Sequence, residues 1–327
     1  MERLTSAAPK KTAAAPKNPA ATPFRNDLQV WMDGEFVPWQ GATVHVMAHV
    51  MHYGSSVFEG IRCYKTKHGS AIFRLTEHVR RLYDSARIYR MPLPWTEAEF
   101  ASAIRESIRR NAFEACYVRP VVYRGLGTPG VNPLNSPVCS AIVCWDWGHY
   151  LGDGSIQTGI DVCVSSWSRM APNTMPMLAK ASANYMNSQL IKIEAVTNGF
   201  KEGIALDTHG YVSEGSGENI FVVRDGVVRT PPLSAAILPG ITRDSVISLL
   251  RDEGRDVREE NVPREMLYTS DEVFLTGTAT EICPVRSVDR VPVAKGEPGP
   301  VTRRLQELFL GLVHGDLEDR HGWMAPV

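Results

Sequence analysis

Paired apolar runs joined by turns that end in glycine constrain the fold of this chain most strongly. One pair occupies residues 30–37, with Asp33-Gly34 at its centre. Two further pairs turn at Gly210 and at Gly226. Glycine accepts the positive φ that tight hairpin turns require, so each pair predicts a β-hairpin. The second and third pairs follow each other along the chain and predict a β-meander.

Helical patterns lie between these strands and indicate a mixed chain. Apolar residues recur at helical spacing over residues 77–90. Thr96 precedes the acidic Glu97, so we expect it to cap a second helix that runs to Asn111. The fold class is therefore predicted to be α/β (α+β). Further strands are predicted at 116–123, 138–145, 160–166 and 272–276, and further helices at 185–196 and at 242–254, with Thr242 as the N-cap.

Length and local composition divide the chain into two predicted domains. A chain of 327 residues is long enough for two domains of ordinary size. Residues 1–25 are rich in Ala, Pro and Lys, which predicts a disordered basic tail, with a targeting peptide as the alternative. A Gly-rich stretch at 149–156 is the expected interdomain loop. It separates a small N-terminal α/β domain, residues 26–148, from a larger β-rich C-terminal domain with helices, residues 157–327.

Charge and cysteine content argue against several classes of partner. Lys+Arg is 35 and Asp+Glu is 36, a balance that gives no electrostatic footprint for nucleic acid or for an anionic membrane. No apolar run approaches the ~20 residues of a membrane-spanning helix. The six cysteines form no Cys-x-x-Cys pair and match no zinc ligand set. We therefore expect reduced thiols in a cytoplasmic protein.

Lys180 is the first candidate catalytic residue, because it lies in an unusually apolar stretch. No other charged residue lies between Arg169 and Lys192. Burial lowers the pKa of a lysine, and a neutral amine is a nucleophile that forms a Schiff base with an aldehyde. The alternative is a lysine that lays its apolar stem along the surface and keeps its charge in water. The residues alone leave both interpretations open.

Two further features fit the same chemistry, although each is also common as a structural turn. Glu214 lies where a predicted strand meets a Gly-rich turn, and it is either a partner for a ring nitrogen or an exposed turn residue. The loop at 238–243 enters a predicted helix and residues 277–279 follow a strand, so both could donate N–H groups to a phosphate. An amine, a carboxylate and phosphate-binding turns together meet the requirements of pyridoxal phosphate.

Longer stretches of the sequence carry a resemblance to a known family. From about Trp31 to Trp323 the chain resembles the fold-type IV pyridoxal-phosphate enzymes, and it is most similar to the bacterial branched-chain amino-acid aminotransferases. The resemblance implies a two-domain architecture and pyridoxal 5'-phosphate as the cofactor. The stretches that carry it are residues 44–47, 52–62, 171–174, 202–207, 213–219 and 238–243.

The resemblance implies which residues bind the cofactor. Lys180 matches the catalytic lysine that carries the cofactor, and Glu214 matches the acid paired with the pyridine nitrogen. Tyr185 matches the tyrosine that hydrogen-bonds the ring oxygen. Arg81 matches the phosphate-binding arginine, which leaves its neighbour Arg80 in solvent. The other implied phosphate ligands are Ile241, Thr242 and Thr278.

The resemblance also implies which residues bind the substrate. The backbone N–H groups of Thr278 and Ala279, with the hydroxyl of Tyr117, are implied to hold the α-carboxylate. Arg119 matches the arginine that receives the second carboxylate of glutamate, and an ion pair within a strand is the alternative for this residue. The implied walls of the side-chain pocket are Tyr53, Phe58, Trp147 and Tyr150.

The implied reaction is the transamination of Leu, Ile and Val with 2-oxoglutarate. The partners are then small-molecule substrates, and the expected assembly is a homodimer or a trimer of dimers. One alternative is a D-amino-acid aminotransferase or an aminodeoxychorismate lyase of the same fold, and another is a binding protein without catalysis. Thr280 departs from the resemblance, because it follows Ala279 where a small apolar residue is expected.

A histidine cluster offers a metal-binding alternative. His45, His49 and His52 would share one face of a helix. The β-branched Val44 and Val46 favour a strand around His45 instead, and no carboxylate or thiolate completes a ligand set nearby. No metal site is therefore predicted.

Overall fold

The computed structural model describes residues 24–148, 151–152 and 154–327. Within this part of the chain, the strands form two sheets. The strands, numbered along the chain, are β1 (Gln29–Met32), β2 (Glu35–Pro38), β3 (Ser56–Phe58), β4 (Ile61–Thr66), β5 (Gly69–Phe73), β6 (Cys116–Arg124), β7 (Val138–Trp145), β8 (Ile160–Val164), β9 (Glu202–Leu206), β10 (Val212–Gly215), β11 (Asn219–Arg224), β12 (Val227–Thr230), β13 (Val257–Glu259), β14 (Glu272–Gly277), β15 (Glu281–Val288), β16 (Val291–Pro292) and β17 (Met324–Pro326). The helices are α1 (His49–Tyr53), α2 (Leu75–Ile88), α3 (Glu97–Arg110), α4 (Ser155–Thr158), α5 (Tyr185–Thr197), α6 (Ile241–Asp252), α7 (Met266–Thr269) and α8 (Pro300–Val313).

The first sheet is antiparallel and contains β1 to β7 and β17. Its strand order is β17-β5-β4-β6-β7-β1-β2, with β3 paired to β6. The predicted hairpin at 30–37 is confirmed, since β1 and β2 pair around Asp33 and Gly34. These two residues have φ values of 47° and 100°, as the positive φ of a two-residue hairpin turn requires. Leu82 of α2 and Ile104 of α3 are fully buried in the core that covers this sheet.

Helix α3 begins where the sequence predicts, because Thr96 and Glu99 form a capping box. The backbone N–H of Glu99 donates to Thr96 Oγ1 at 3.2 Å, and the backbone N–H of Thr96 donates to Glu99 Oε2 at 2.7 Å. Hydrogen bonds from Thr96 lower the pKa of Glu99. Two N–H groups at the start of the helix, which would otherwise lack partners, are thereby satisfied.

We expect Thr96→Ala to lower the free energy of unfolding by about 1 kcal/mol, because alanine cannot accept the Glu99 N–H. Chemical denaturation followed by circular dichroism measures the change. Ser102→Ala, at an exposed position of the same helix, is the matched control and should shift the value by less than about 0.5 kcal/mol. Equal losses in both variants would show that the capping box does not stabilise the helix.

The second sheet is mixed and contains β8 to β16. Its order is β10-β9-β8-β15-β14-β11-β12-β13, with β16 paired to β15. The predicted hairpins form, since β9 pairs with β10 and β11 pairs with β12. The predicted meander is wrong, because β8, β15 and β14 lie between the two hairpins. β9 pairs in parallel with β8, and β11 pairs with β14. These partners are distant in the sequence, so the turn residues that predict the hairpins do not predict these pairings.

Helix α6 begins earlier than the sequence predicts. Its N-cap is Gly240, and Thr242 lies inside the first turn, so the prediction of Thr242 as the N-cap is wrong. Glycine has no side chain that could accept a hydrogen bond, and no side-chain cap forms here. The N–H groups of the first turn therefore keep their capacity to bind an anion.

The end of the chain returns to the first sheet, where β17 pairs with β5. Residues 1–23 of the predicted tail lie outside the described residues, as do 149, 150 and 153 of the predicted interdomain loop. The domain boundaries at 26–148, 149–156 and 157–327 stay predictions. None of the helices in the described ranges is long and apolar enough to cross a membrane.

Candidate active site

The backbone at Lys180, in the segment between β8 and α5, is fixed on both sides. Its N–H donates to Ser85 Oγ of α2 at 3.0 Å, and its C=O accepts from the N–H of Phe58 at 3.0 Å. The neighbouring Ala179 and Ala181 are fully buried. These contacts hold the Cα atom of Lys180 in one position, from which the side chain extends into a cleft.

The amine of Lys180 is partly buried and hydrogen-bonded. Nζ donates to Tyr185 Oη at 2.6 Å. It lies 5.0 Å from the ring centroid of Phe58 and 5.2 Å from that of Tyr185. The sequence predicts a lysine removed from water, and the structure shows a half-buried one whose amine has a hydroxyl partner. The amine therefore points into an aromatic-walled cleft, which does not fit the alternative of a charge held out in bulk water.

Glu214 is buried at the end of β10 rather than exposed in a turn. It is 5% exposed. Its Oε2 accepts from the N–H of Leu238 at 3.0 Å and from Nδ2 of Asn219 at 3.1 Å, and Arg169 Nη2 lies 3.3 Å from Oε1. Burial raises the pKa of Glu214, and Arg169 with the Leu238 hydrogen bond offsets this only in part. The carboxyl group is therefore held in one orientation by three partners.

One cleft contains both candidate groups. Lys180, Tyr185 and Glu214 line one open cleft. The same cleft is also lined by Arg169, Glu218, Asn219 and Leu238.

A buried ion pair fixes Arg81 in α2. Its Nε and Nη2 donate to the two carboxylate oxygens of Glu59 at 2.6 Å and 2.9 Å, and His78 Nδ1 lies 2.7 Å from the same carboxylate. Burial alone would raise the pKa of Glu59, but Arg81 and His78 hold it well below its usual range. The neighbouring Arg80 is exposed, as expected. Sequence reasoning gave Glu59 no role, although it lies in a stretch that carries the resemblance.

Arg81 also lies beside the N-terminus of α6. Its Nη1 donates to the C=O of the residue before Gly240 at 2.9 Å. Ile241 and Thr242 are buried in the first turn of that helix. A Cβ atom at Gly240 would lie 1.9 Å from Asn219 Oδ1, so a larger residue would displace the side chain that orients Glu214. A guanidinium group next to an uncapped helix N-terminus suits a phosphate.

Thr278 and Ala279 lie in the turn between β14 and β15, where Arg62 of β4 holds them. Arg62 Nε donates to the C=O of Thr278 at 3.0 Å, and Nη2 donates to the C=O of Ala279 at 3.0 Å. Nη2 also donates to the C=O of Gly148 at 3.1 Å. Since C=O and N–H point in opposite directions across a trans peptide, the N–H of Ala279 faces away from Arg62. Sequence reasoning gave Arg62 no role.

Phe58, Tyr117, Arg119 and Trp147 form a connected group of side chains, called the wall below, in which Phe58 adjoins the amine of Lys180. The guanidinium carbon of Arg119 lies 4.8 Å from the ring centroid of Phe58 and 5.4 Å from that of Tyr117, and the rings of Tyr117 and Trp147 are 4.6 Å apart. A Cβ atom at Gly60 would lie 1.7 Å from Tyr117 Oη, so glycine leaves room for this hydroxyl. In the part of the chain that the structure describes, Arg119 Nε is buried without a hydrogen-bond partner. Arg119 as a whole is half-buried, and a charged group with a buried N–H that lacks a partner is suited to an anionic ligand.

Of the other two residues expected at this wall, the structure describes only Tyr53. Tyr53, at the end of α1, is 46% exposed, and its ring lies 4.5 Å from that of His49. Among the described residues, no hydrogen bond or cation–ring contact joins Tyr53 to Lys180. Tyr150 lies outside the described residues. Both assignments stay predictions.

The histidine cluster has other partners. His49 lies in α1, with Ser55 Oγ 2.7 Å from Nδ1 and a backbone carbonyl 3.1 Å from Nε2. His52 Nε2 lies 3.1 Å from the C=O of Val46. The predicted strand around His45 is wrong, because residues 44–46 are irregular and a short helix follows. The backbone carbonyls next to the imidazole nitrogens of His49 and His52 belong to loops. The sequence pattern does not show the course of these loops, so it could not predict these contacts.

Comparison with known proteins gives several matches over nearly the whole chain. Residues 56–288 match the family model described as Amino-transferase class IV. The branched-chain-amino-acid aminotransferase of Salmonella typhimurium is 51% identical over 299 residues, which is 91% of this chain and 97% of that protein. The enzyme of the same name from Escherichia coli (strain K12) is 50% identical over 299 residues, again 91% of this chain and 97% of that protein.

Solved structures show the same architecture. The crystal structure of the Escherichia coli branched-chain amino acid aminotransferase has a TM-score of 0.90 at 50% identity, and the match covers 91% of this chain and 99% of that chain. The branched-chain amino acid aminotransferase from Thermobaculum terrenum, in its PLP-form, has a TM-score of 0.86 at 35% identity, and the match covers 92% of this chain and 98% of that chain. The predicted α/β (α+β) fold class is confirmed.

Proposed function

Since the chain belongs to the class IV aminotransferase family, we propose that it catalyses the transamination of the L-amino acids Leu, Ile and Val with 2-oxoglutarate. The products are branched-chain 2-oxo acids and L-glutamate. The observation that carries the proposal is that Lys180, Tyr185 and Glu214 line one cleft. Relatives about half identical over 91% of the chain support the substrate class.

The residues of the cleft fit pyridoxal 5'-phosphate, which must be held at an aldehyde, a ring nitrogen and a phosphate. Lys180 supplies an amine, and Glu214 supplies a buried carboxyl group fixed by three partners. Arg81 and the uncapped start of α6 supply charge and N–H donors for the phosphate, with Gly240 leaving the space that a Cβ atom would fill. Tyr185 Oη lies next to the amine and is available for the ring oxygen.

Bound pyridoxal phosphate supplies an aldehyde that accepts the amino group and a ring that withdraws electrons from the substrate Cα–H bond. Lys180 Nζ removes the proton from that Cα as a general base and later donates it as a general acid. Tyr185 Oη accepts a hydrogen bond from Nζ at 2.6 Å and so holds the amine inside the cleft. Glu214, which Arg169, Asn219 and Leu238 hold in one orientation, would keep a proton at the ring nitrogen.

Substrate recognition uses the wall of Phe58, Tyr117, Arg119 and Trp147. Leucine-like side chains contact the aromatic rings, and the side-chain carboxylate of glutamate pairs with Arg119. The N–H groups of the turn held by Arg62 and the hydroxyl of Tyr117 bind the α-carboxylate. One pocket can then accept both an apolar and an acidic side chain, as the two half-reactions require.

We expect Arg119→Gln to weaken binding of glutamate and 2-oxoglutarate by about 10-fold or more, because a charge-assisted hydrogen bond to the second carboxylate is lost. Binding of leucine should change by less than about threefold, since leucine has no such carboxylate. Each half-reaction, followed separately through the visible absorption of the cofactor, gives these constants.

The matched control is Arg80→Gln, which alters an exposed arginine of α2 and should leave both half-reactions unchanged. If Arg119→Gln weakened leucine and glutamate equally, Arg119 would not be the group that selects the acidic substrate. Comparison of Arg119→Gln with Arg80→Gln therefore distinguishes a specific role of Arg119 in substrate selection from the general effect of losing one positive charge.

A steady-state screen of amino donors with 2-oxoglutarate tests the function itself. We expect turnover with L-leucine, L-isoleucine and L-valine, and at most weak turnover with D-alanine. Faster turnover with D-alanine, or pyruvate release from aminodeoxychorismate, would contradict the proposal and favour another reaction on the same fold.

We propose that the protein assembles as a homodimer or a trimer of dimers. Exposed apolar residues support this, because large exposed apolar patches mark interfaces. They are Val44, Val46, Met47 and Met51, of which Val44 and Met51 line an open groove together with Arg119. The chain is expected to act in the cytoplasm, which the absence of disulfides among its six cysteines supports.

A further inference from the structure

A second buried carboxyl group in the lining of the cleft takes no part in the reaction described above. Glu218 is 3% exposed, and uncharged donors hold it. The N–H of Gly217 donates to Oε2 at 3.1 Å, and the hydroxyl of Thr280 lies 3.3 Å from Oε1. Its neighbour Glu202 is held differently, since the amine of Lys192 donates to it at 2.7 Å. Glu218 therefore depends on hydrogen bonds for its position.

The electrostatic environment of Glu218 favours a hydrogen-bonded role for its carboxyl group over an ion pair. Burial and the nearby carboxylate of Glu202 raise the pKa of Glu218. A raised pKa keeps a carboxyl group protonated to higher pH, so Glu218 adds little negative charge beside Glu214. Glu218 therefore affects the site mainly through the space that its side chain fills and the hydrogen bonds that it makes.

Glu218 fills the space between two turns of the site. A Cβ atom at Gly215 would lie 2.8 Å from Glu218 Oε2, so this carboxyl group rests directly on the turn that follows Glu214. Glu218 Cγ also lies 3.7 Å from the place that a Cβ atom of Gly277 would take, so this side chain lies beside the last residue of β14. A shift of Glu218 would therefore change the distance between the two turns.

Thr280 adds a directed contact between these turns. It is 5% exposed, and it stands where the family resemblance leads us to expect a small apolar residue, which could not donate a hydrogen bond. Arg62 holds the same turn from another direction through the carbonyls of Thr278 and Ala279. Arg62 thus fixes the carbonyl groups of the turn, and Glu218 fixes the last residue of the turn, Thr280.

We propose that the hydrogen bond from Thr280 to Glu218 positions the turn of residues 277–280 and thereby tightens binding of the substrate α-carboxylate. Thr280 and Glu218 act as positioning residues, through the backbone N–H groups of Thr278 and Ala279. This inference rests on the proposed function, because it requires that those N–H groups bind a carboxylate. The inference gives a role to Thr280, the residue at which this chain differs from what the family resemblance leads us to expect.

Thr280→Val removes the hydroxyl and keeps the shape of the side chain. In the holoenzyme we expect KM for leucine and for 2-oxoglutarate to rise about fivefold, the size of one neutral hydrogen bond, with kcat within about twofold. Hydrogen exchange of the holoenzyme without substrate should show amides of residues 277–281 exchanging about fivefold faster. Thr280→Ser keeps the hydroxyl and should restore both values to within about twofold of the original chain.

Thr276→Val is the matched control. Thr276 lies in β14 of the same hairpin, and among the described residues its buried hydroxyl makes no hydrogen bond. Its removal should leave KM and the exchange of residues 277–281 unchanged. An equal effect of both valine variants would overturn the inference, because it would report general packing rather than the contact with Glu218.

Unchanged KM and unchanged exchange in Thr280→Val would also overturn the inference, as would a fall in kcat alone. If the original chain transaminates none of the amino acids tested, the proposed function fails, and the inference about carboxylate binding fails with it. Faster exchange in Thr280→Val would in that case show only that the hydrogen bond orders the turn. The two failures are therefore distinguishable.

Discussion

We expect Lys180→Arg to lower kcat for transamination by at least about 1,000-fold. Arginine keeps the positive charge and the length of the side chain, but its guanidinium does not lose a proton in proteins. It therefore cannot carry the cofactor or move a proton at the substrate Cα. Steady-state rates with leucine and 2-oxoglutarate, together with the visible spectrum before and after addition of leucine, measure the effect.

Lys65→Arg is the matched control for this substitution. Lys65 lies on β4, is largely exposed and pairs with Glu114 at 2.7 Å. Arginine can keep this pair, so turnover should stay within about twofold of the original rate. Turnover retained by Lys180→Arg would remove the basis of the proposed mechanism, whatever the control shows.

Glu214→Gln should lower kcat by about 100-fold while leaving the protein folded, since removal of one preorganised electrostatic partner has effects of this size. Glutamine has nearly the same shape, and its amide oxygen can still accept from Leu238 and Asn219. It carries no negative charge, so it does not favour a proton at the ring nitrogen. The rate of the leucine half-reaction in a stopped-flow instrument measures the loss directly.

Glu265→Gln, the control variant, removes the charge of an exposed glutamate and should leave the half-reaction unchanged.

Thermal unfolding of Glu214→Gln gives a second comparison, because burial raises the pKa of Glu214 in the folded chain without cofactor. The neutral amide therefore removes a cost of burying charge, and the variant should be at least as stable at neutral pH. A slow half-reaction in a destabilised variant would point to misfolding rather than to a lost charge.

Local features of the fold could be predicted because their causes lie within a few residues. Asp33 and Gly34 form a hairpin since both accept positive φ, and Thr96 starts a helix since its hydroxyl and Glu99 satisfy neighbouring N–H groups. The order of strands in the second sheet could not be predicted in this way. It depends on contacts such as that of β11 with β14, whose residues lie far apart in the chain.

The same distinction applies to the candidate site. Lys180 stands out because its surroundings in the sequence are apolar, and Glu214 because glycines follow it. Glu59 and Arg62 were missed, because their importance depends on partners that only the fold supplies. Glu59 has the guanidinium of Arg81, and Arg62 has the carbonyls of the turn between β14 and β15. A glutamate inside the otherwise apolar stretch of residues 57–61 is the one sequence signal for Glu59, and it is weak.

Reductive trapping tests the central claim most directly. Borohydride treatment of the holoenzyme fixes the cofactor to whichever amine carries it, and mass spectrometry of the peptides then identifies that residue. We expect a pyridoxyl adduct on the peptide that contains Lys180, and none after prior conversion of the enzyme with excess leucine. An adduct confined to another lysine, or no adduct on a chain that binds the cofactor, would contradict it.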